Sequence, residues 1–178
     1  MALNIFVLDW NTQEAVKCHV DKHCVKMITE HNQLLSTTHH MTNSKFNPED
    51  CKAYLNMTPI LRFAHGMVPY KKAYYNHPCA KWARESLDNY LWLARFTLHL
   101  SQEYTHRYGK VHAGEPYAQW FLDHLPPIEN TGLTPFALAM PDEYKCNDPV
   151  QSYRNYYNGA KRHLFKWTKR EVPEWIEV

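Results

Sequence analysis

Glycine is scarce in this chain, with five residues in 178. So few leave no glycine-rich loop to cradle the phosphates of a nucleotide, and no G-x-S-x-G elbow to raise a nucleophilic serine. There is no run of about 18 apolar residues, so no segment is expected to span a membrane. The first residues lack a basic stretch followed by an apolar core, so no secretory leader is read there. The five cysteines are odd in number and follow no framework spacing, which points to reduced thiols and a cytoplasmic setting. Cys18-His19-x-x-x-His23-Cys24 is metal-capable, but no partnering Cys/His pair stands at a zinc spacing, and the Glu of a zincin helix is missing. A metal-dependent enzyme using His19 and His23 stays open as an alternative reading.

Aromatic residues, by contrast, are plentiful. Twelve Tyr and six Trp supply core bulk and flat faces able to stack on bases or sugars. The length fits one domain, residues 1–178, with a proper hydrophobic core. The net charge of +2 conceals an asymmetry. Lys145, Arg154, Lys161, Arg162, Lys166, Lys169 and Arg170 face a single acid, Asp148, within residues 145–170, a local net charge of +6. The other residues carry 13 basic and 17 acidic side chains, a net −4. Tyr153, Tyr156, Tyr157, Phe165 and Trp167 interleave with the basic block. Lys and Arg neutralise phosphates while rings stack on bases, so this is a candidate nucleic-acid surface. A solvated helix face is the alternative.

The pattern is mainly α, a compact helical domain with a short extended N-terminal arm and long loops. Asn4–Leu8 is a short apolar run, either a strand or an arm packed on the core. Asn11 or Thr12 caps a first helix running to about Ser36. Residues 37–50 read as a loop, with short helices over 49–57 and 59–66. A long helix opens at His77-Pro78 and stops at Gly109, a glycine suited to the left-handed C-terminal cap. A short helix at 116–124 and a loop over 125–147 follow. Asp148-Pro149 starts the last helix, which is expected to carry the basic block, and the tail from Val172 is extended.

Within the first helix, Val16, Val20, Cys24, Met27, Ile28, Leu34 and Leu35 recur at helical spacing and face the core. Glu30 falls within roughly 60° of Met27, Val16 and Leu34, at the border of that stripe. His19 and His23 project along the same edge, with Lys26 and Gln33 just to the polar side. A carboxylate so placed is a candidate cleft acid; a partly solvated glutamate paired with Lys26 is the alternative.

The segment Asp21-Lys-His23-Cys-Val-Lys-Met-Ile-Thr-Glu30 resembles the first active-site helix of the pyrimidine-dimer DNA glycosylases/AP lyases, the phage-type endonuclease V family. That family has an Asp-Gln-His start and a catalytic Glu nine residues after the Asp, the spacing of Asp21 and Glu30. Tyr153-Arg-Asn-Tyr-Tyr157-Asn-Gly-Ala-Lys161 is similar to the family's aromatic-basic segment near the DNA. Asn4-Ile-Phe and Asn76-His-Pro78 with Trp82 resemble bacterial-type relatives. The resemblance implies an N-glycosylase/AP lyase acting on double-stranded DNA with a damaged or modified pyrimidine, in a bacterial or phage-infected cell. It implies no cofactor, no metal and no membrane, and a monomer is expected. The nucleophile would be an N-terminal amine that attacks the sugar C1′ and forms a Schiff base. Removal of Met1 before the small Ala2 would leave the Ala2 amine, with a reference pKa of about 7.7–8.0 against about 10.4 for lysine. Glu30 would stabilise the sugar cation, with His23 and Lys26 orienting it. Lys26, Lys145, Arg154, Tyr156, Tyr157, Lys161 and Arg162 would hold the DNA. Two departures stand out. Ala2 lies one residue short of the family's nucleophile when Asn4 is aligned, and Thr29 and Gln33 replace the arginines flanking the catalytic Glu. A non-catalytic DNA-binding accessory protein is a further alternative.

Overall fold

Residues 3–8 form an extended arm that is buried along its whole length yet pairs with no strand. Its one polar side chain is fully accommodated. Asn4 donates Nδ2–H to the Ala139 carbonyl at 2.7 Å, and its Oδ1 accepts from the Tyr153 hydroxyl at 2.9 Å. The apolar run is therefore an arm, stapled between a long loop and the last helix. The computed structural model describes residues 3–48 and 52–178. Among them are eight α-helices, two short 3-10 turns and no strand.

Asn11 caps α1 (Thr12–Cys18), its side chain accepting from the backbone N–H groups of Gln13 and Glu14. The expected single helix to Ser36 is in fact two. The chain goes extended at His19 and Val20, then α2 runs from Asp21 to His40, past the expected end. The break is filled by Arg107. Its guanidinium donates to the carbonyls of Val16, Lys17 and His19 at the end of α1, and to Asp21 in the first turn of α2. Two short helices, α3 (Lys52–Asn56) and α4 (Pro59–Ala64), follow.

Pro78 opens α5 (Pro78–Glu85), capped by the His77 ring. The second expected long helix is also interrupted, at Ser86, before α6 (Leu87–Tyr108). Loop 129–134 docks into this break: Leu87 N–H donates to the Glu129 carbonyl at 3.1 Å, and Thr131 N–H to Ser86 Oγ at 3.0 Å. Gly109 ends α6 with φ 69°, in the left-handed region as expected. Then come α7 (Glu115–Asp123) and α8 (Pro149–Ala160), the latter capped by Asp148. The central pair is α2 and α6, with α1, α5 and α7 packed around it. One continuous hydrophobic cluster joins the arm, these helices and α8. Among the described residues no helix is long and apolar enough to cross a membrane.

Candidate active site

Glu30 sits in the middle of α2 and is only 9% exposed. Its Oε1 lies 3.1 Å from the Lys26 ammonium, the i,i+4 geometry that the helix imposes. Its Oε2 is buried and has no hydrogen-bond partner among the described residues. A buried polar oxygen left in this state is costly unless something arrives to meet it. The space beside it is a cleft of about 550 Å³, walled by Val25, Lys26, Thr29, Glu30, Gln33, Tyr74 and His112. Glu30 thus pairs with Lys26 and also lines a cleft.

Two cleft residues, Tyr74 and His112, are not singled out by the sequence reading. His112 is fixed between α2 and the start of α7: Nε2 meets the Val25 carbonyl at 3.1 Å, and Nδ1 accepts Gly114 N–H at 2.9 Å. Burial pushes its pKa down. Gly114 must stay small, because a Cβ there would come within 2.8 Å of Asn32 Nδ2 and 2.9 Å of Ile28 on α2. Tyr74 reaches the cleft from the loop before α5. The signal that could have found it is Lys71-Lys72-Ala73-Tyr74-Tyr75, a basic-aromatic run of the same kind as the C-terminal block.

His23 takes a different place from the one expected. It lies seven residues before Glu30, about 10 Å along the helix, and meets other partners. Its ring stacks on Phe6 of the arm at 4.3 Å, and Nδ1 shares a 2.7 Å hydrogen bond with the Tyr157 hydroxyl. Burial first, and then the charges of its neighbours including Lys161 and Lys26, lower its pKa to about 3, so the ring is neutral. The residue that meets Glu30 is Lys26 alone of the two expected. His19 is wholly buried, with Nδ1 at 2.8 Å from the Ala15 carbonyl. The two rings thus serve separate partners, and among the described residues no three His, Cys, Asp or Glu side chains form a metal-capable group.

The arm passes close to this part of α2. The Asn4 backbone lies beside His31, and the Ile5 backbone lies beside Cys79, a thiol that also senses the Glu30 charge. Ala2, the expected nucleophile, falls outside the described residues.

The basic block does not form one helical face. Helix α8 ends at Ala160, Lys161 caps it, and Arg162 begins a 3-10 turn (Arg162–Leu164). Lys161 lies over the Tyr156 ring at 4.8 Å, and Arg162 is exposed beside Phe165 at 5.4 Å. Lys145 is exposed and paired with Asp142 at 2.8 Å. Arg154 is committed internally, donating to the Leu8 carbonyl at 2.9 Å and to Asp9 at 3.2 Å. Tyr157 is fully buried and offers no face to a base; Tyr156 is nearly so, its ring turned to Lys161, Tyr144 and Phe6. The aromatic residues of α8 were expected to stack on DNA because their spacing in a basic run gives no hint that they also fill the core.

A family model described as pyrimidine dimer DNA glycosylase matches residues 3–115. That span holds the arm, α1 to α6 and every residue lining the Glu30 cleft, and it stops before the C-terminal basic block. No curated protein and no solved structure matches the chain.

Proposed function

The chain belongs to the pyrimidine dimer DNA glycosylase family, so its partner is DNA and its reaction breaks an N-glycosidic bond; from this we propose an amine-driven glycosylase/AP lyase centred on the Glu30 cleft. The observation that carries the reading is Glu30 Oε2, a buried carboxylate oxygen without a partner among the described residues, on the wall of an open cleft. Lys26 fixes the other oxygen, so the carboxylate is held in place before substrate arrives.

In this mechanism the Ala2 amine, exposed once Met1 is removed, attacks C1′ of the damaged nucleotide. The C1′–N bond breaks, and the base leaves with the bonding electrons and takes a proton. Opening of the sugar ring gives an iminium between Ala2 and C1′. Loss of a C2′ proton then expels the 3′ phosphate. Positive charge develops at C1′ in the first stage, and a negative carboxylate in a partly desolvated cleft stabilises it. The course of the arm is compatible with the nucleophile assignment, since residues 4 and 5 run beside His31 of α2 and Cys79 of α5. The substrate class in this reading is duplex DNA bearing a pyrimidine dimer or a related pyrimidine lesion.

Borohydride trapping on a dimer-containing duplex tests both residues. The parent protein is expected to form a covalent adduct. Acetylation of the N-terminus abolishes it while DNA affinity stays. Glu30→Gln slows single-turnover base release by roughly 10²–10³-fold, the usual loss on removing one electrostatic stabiliser. Trapping by the acetylated protein would move the nucleophile to a lysine, and a fully active Glu30→Gln protein would refute the role of the carboxylate. Binding without any base release would favour the non-catalytic alternative.

A further inference from the structure

The loop between α4 and α5 carries an exposed, strained aromatic at the rim of the Glu30 cleft. Tyr74 is 58% exposed and its neighbour Tyr75 is 44% exposed. Tyr74 has φ 55°, a left-handed backbone that a bulky side chain rarely adopts. Packing does not account for this strain, because the ring buries little. Nor is the loop loose. Thr37 of α2 clamps Ala73 on both sides, donating to its carbonyl at 2.8 Å and accepting its N–H at 3.0 Å. The Tyr70 carbonyl accepts from the Tyr54 hydroxyl at 3.0 Å, and Tyr70 N–H donates to Ser36 Oγ at 3.3 Å. The Tyr74 carbonyl accepts His77 N–H at 2.9 Å, which closes a turn. A rigid support thus holds one aromatic ring outward, and that support is the helix that bears Glu30. Strain retained in this way at a cleft is the mark of a functional position.

The charge of the loop fits one kind of ligand. Lys71 and Lys72 are exposed, residues 69–77 contain no acid, and the Lys72 ammonium lies 5.4 Å from the Tyr75 ring centre. Among the described residues neither lysine forms an ion pair with an acid. Two cations beside two outward rings match a polyanion with flat π-faces, which is a nucleic acid.

We propose that the Lys71–Tyr75 loop is a second DNA-contacting element, in which the Tyr74 ring fills the gap opened in the base stack at the lesion, stacking on the bases that border it, while Lys71 and Lys72 hold flanking phosphates. The inference rests on the Glu30 cleft being where the damaged sugar sits. An enzyme that reaches C1′ inside a duplex must open the stack, and the gap left behind is unfavourable. A ring already fixed at the cleft rim fills that gap without losing further conformational freedom, since its backbone is fixed before binding.

The test uses the full chain in a Glu30→Gln background, so that binding is read before turnover. The probe is a duplex with one cyclobutane pyrimidine dimer and 2-aminopurine opposite it. Three proteins are compared: Tyr74 intact, Tyr74→Phe and Tyr74→Gly. Glycine favours a φ of 55°, so this variant keeps the loop conformation, and far-ultraviolet circular dichroism verifies the fold. Intact and Phe proteins are expected to raise the fluorescence several-fold on binding. The Gly protein should give no rise, and its preference for dimer over undamaged duplex should fall roughly ten- to a hundredfold, the value of one base–aromatic stack. A Gly protein that matches the intact one overturns the proposal, as does a Phe protein that fails with it, or an intact protein that gives no rise. Lys71→Ala with Lys72→Ala should lower the slope of log affinity against log salt by about two units at most; an unchanged slope overturns the phosphate contacts. Strand cleavage at the parent rate in the Glu30→Gln samples reports a failure of the Glu30 reading, separately from the fluorescence.

Discussion

Arg154 and Lys161 belong to one aromatic-basic segment, yet they do different work. The Arg154 guanidinium ties the arm to α8 through the Leu8 carbonyl and Asp9, and its planar face lies over Trp175 at 5.2 Å. Lys161 and Arg162 stand beyond the helix end, near the aromatic rings but with no acid to neutralise them among the described residues. Arg154→Ala is therefore expected to lower stability by about 1.5–3 kcal/mol, the range for hydrogen bonds to a charged group, and to leave the salt dependence of DNA binding alone. Replacing Lys161 and Arg162 together by Ala should leave the melting temperature nearly unchanged and reduce the salt slope by about two units at most. Fluorescence anisotropy over a salt series, read beside thermal melts, separates the two. The opposite pattern would place Arg154 at the DNA and make the other pair structural. A charge run in a sequence cannot make this distinction, because it does not record which acids and carbonyls the fold brings to each cation.

At the level of elements, what was legible is what depends on neighbours in the chain. Asn11, His77-Pro78, Asp148-Pro149 and Gly109 each mark a helix end where the structure has one, because a cap acts on N–H or C=O groups a few residues away. The border position of Glu30 was legible for the same reason, from the helical period alone. The two helix breaks were not. The break at His19–Val20 is made by Arg107, 86 residues beyond Asp21, and the break at Ser86 by a loop more than 40 residues downstream. Arg107 is the most committed side chain among the described residues. Besides Asp21 and three carbonyls it holds Glu103 at 2.8 Å, and Glu103 also accepts from Arg170 of the tail. Asp21 in turn accepts from Thr168 N–H and Oγ1, so one network joins α1, α2, α6 and the tail. Burial works against the charge on Asp21 and Glu103, but hydrogen bonds outweigh it and hold both carboxyls below their usual range. Those bonds come from Thr168 and Arg107 for Asp21, and from Arg170 and Arg107 for Glu103. Arg107→Ala takes one buried cationic partner from each carboxylate and a donor from three carbonyls, and is expected to destabilise by about 3–5 kcal/mol. Arg107→Lys keeps the charge but not the planar fork, and should recover less than half of that. Urea unfolding of the three proteins measures it, and near-equal midpoints for parent and Arg107→Lys would mean that charge alone secures the break.

For the whole molecule, the telling feature is how many histidines the fold keeps neutral. Of twelve in the chain, His19, His23, His31 and His39 are buried. Desolvation is the largest cause in each case, and it lowers their pKa values to about 4 for His19 and about 3 for the other three. His19 and His23 are a metal-ligand signal in the sequence, but in the structure all four rings are buried in the fold. Depressed values fix the sign of the pH dependence. Above the ordinary histidine value of 6.5 folded and unfolded chains are both neutral at these positions, and their full stability is present. As the pH falls below 6.5 the unfolded chain binds protons that the fold excludes, and stability drops by up to roughly 1.4 kcal/mol per pH unit for each such histidine. Below the usual carboxylate range, protonation of Asp21 and Glu103 adds to the loss. Four histidines acting together exhaust a typical domain stability of about 5–15 kcal/mol within some one to three pH units, so acid unfolding is expected between about pH 3.5 and 5.5. Melting curves should be level above pH 7 and fall steeply below 6.5. His31 offers the sharpest check, since neither of its ring nitrogens has a hydrogen-bond partner among the described residues and its ring packs against Phe96 at 5.5 Å. His31→Phe removes one titrating group while keeping an aromatic ring, so its stability should depend on pH by about one proton less between pH 6 and 4.5. A parent protein with a level profile down to pH 4.5 would mean that these histidines charge without cost, and that the centre of the fold admits water where the burial of their rings excludes it.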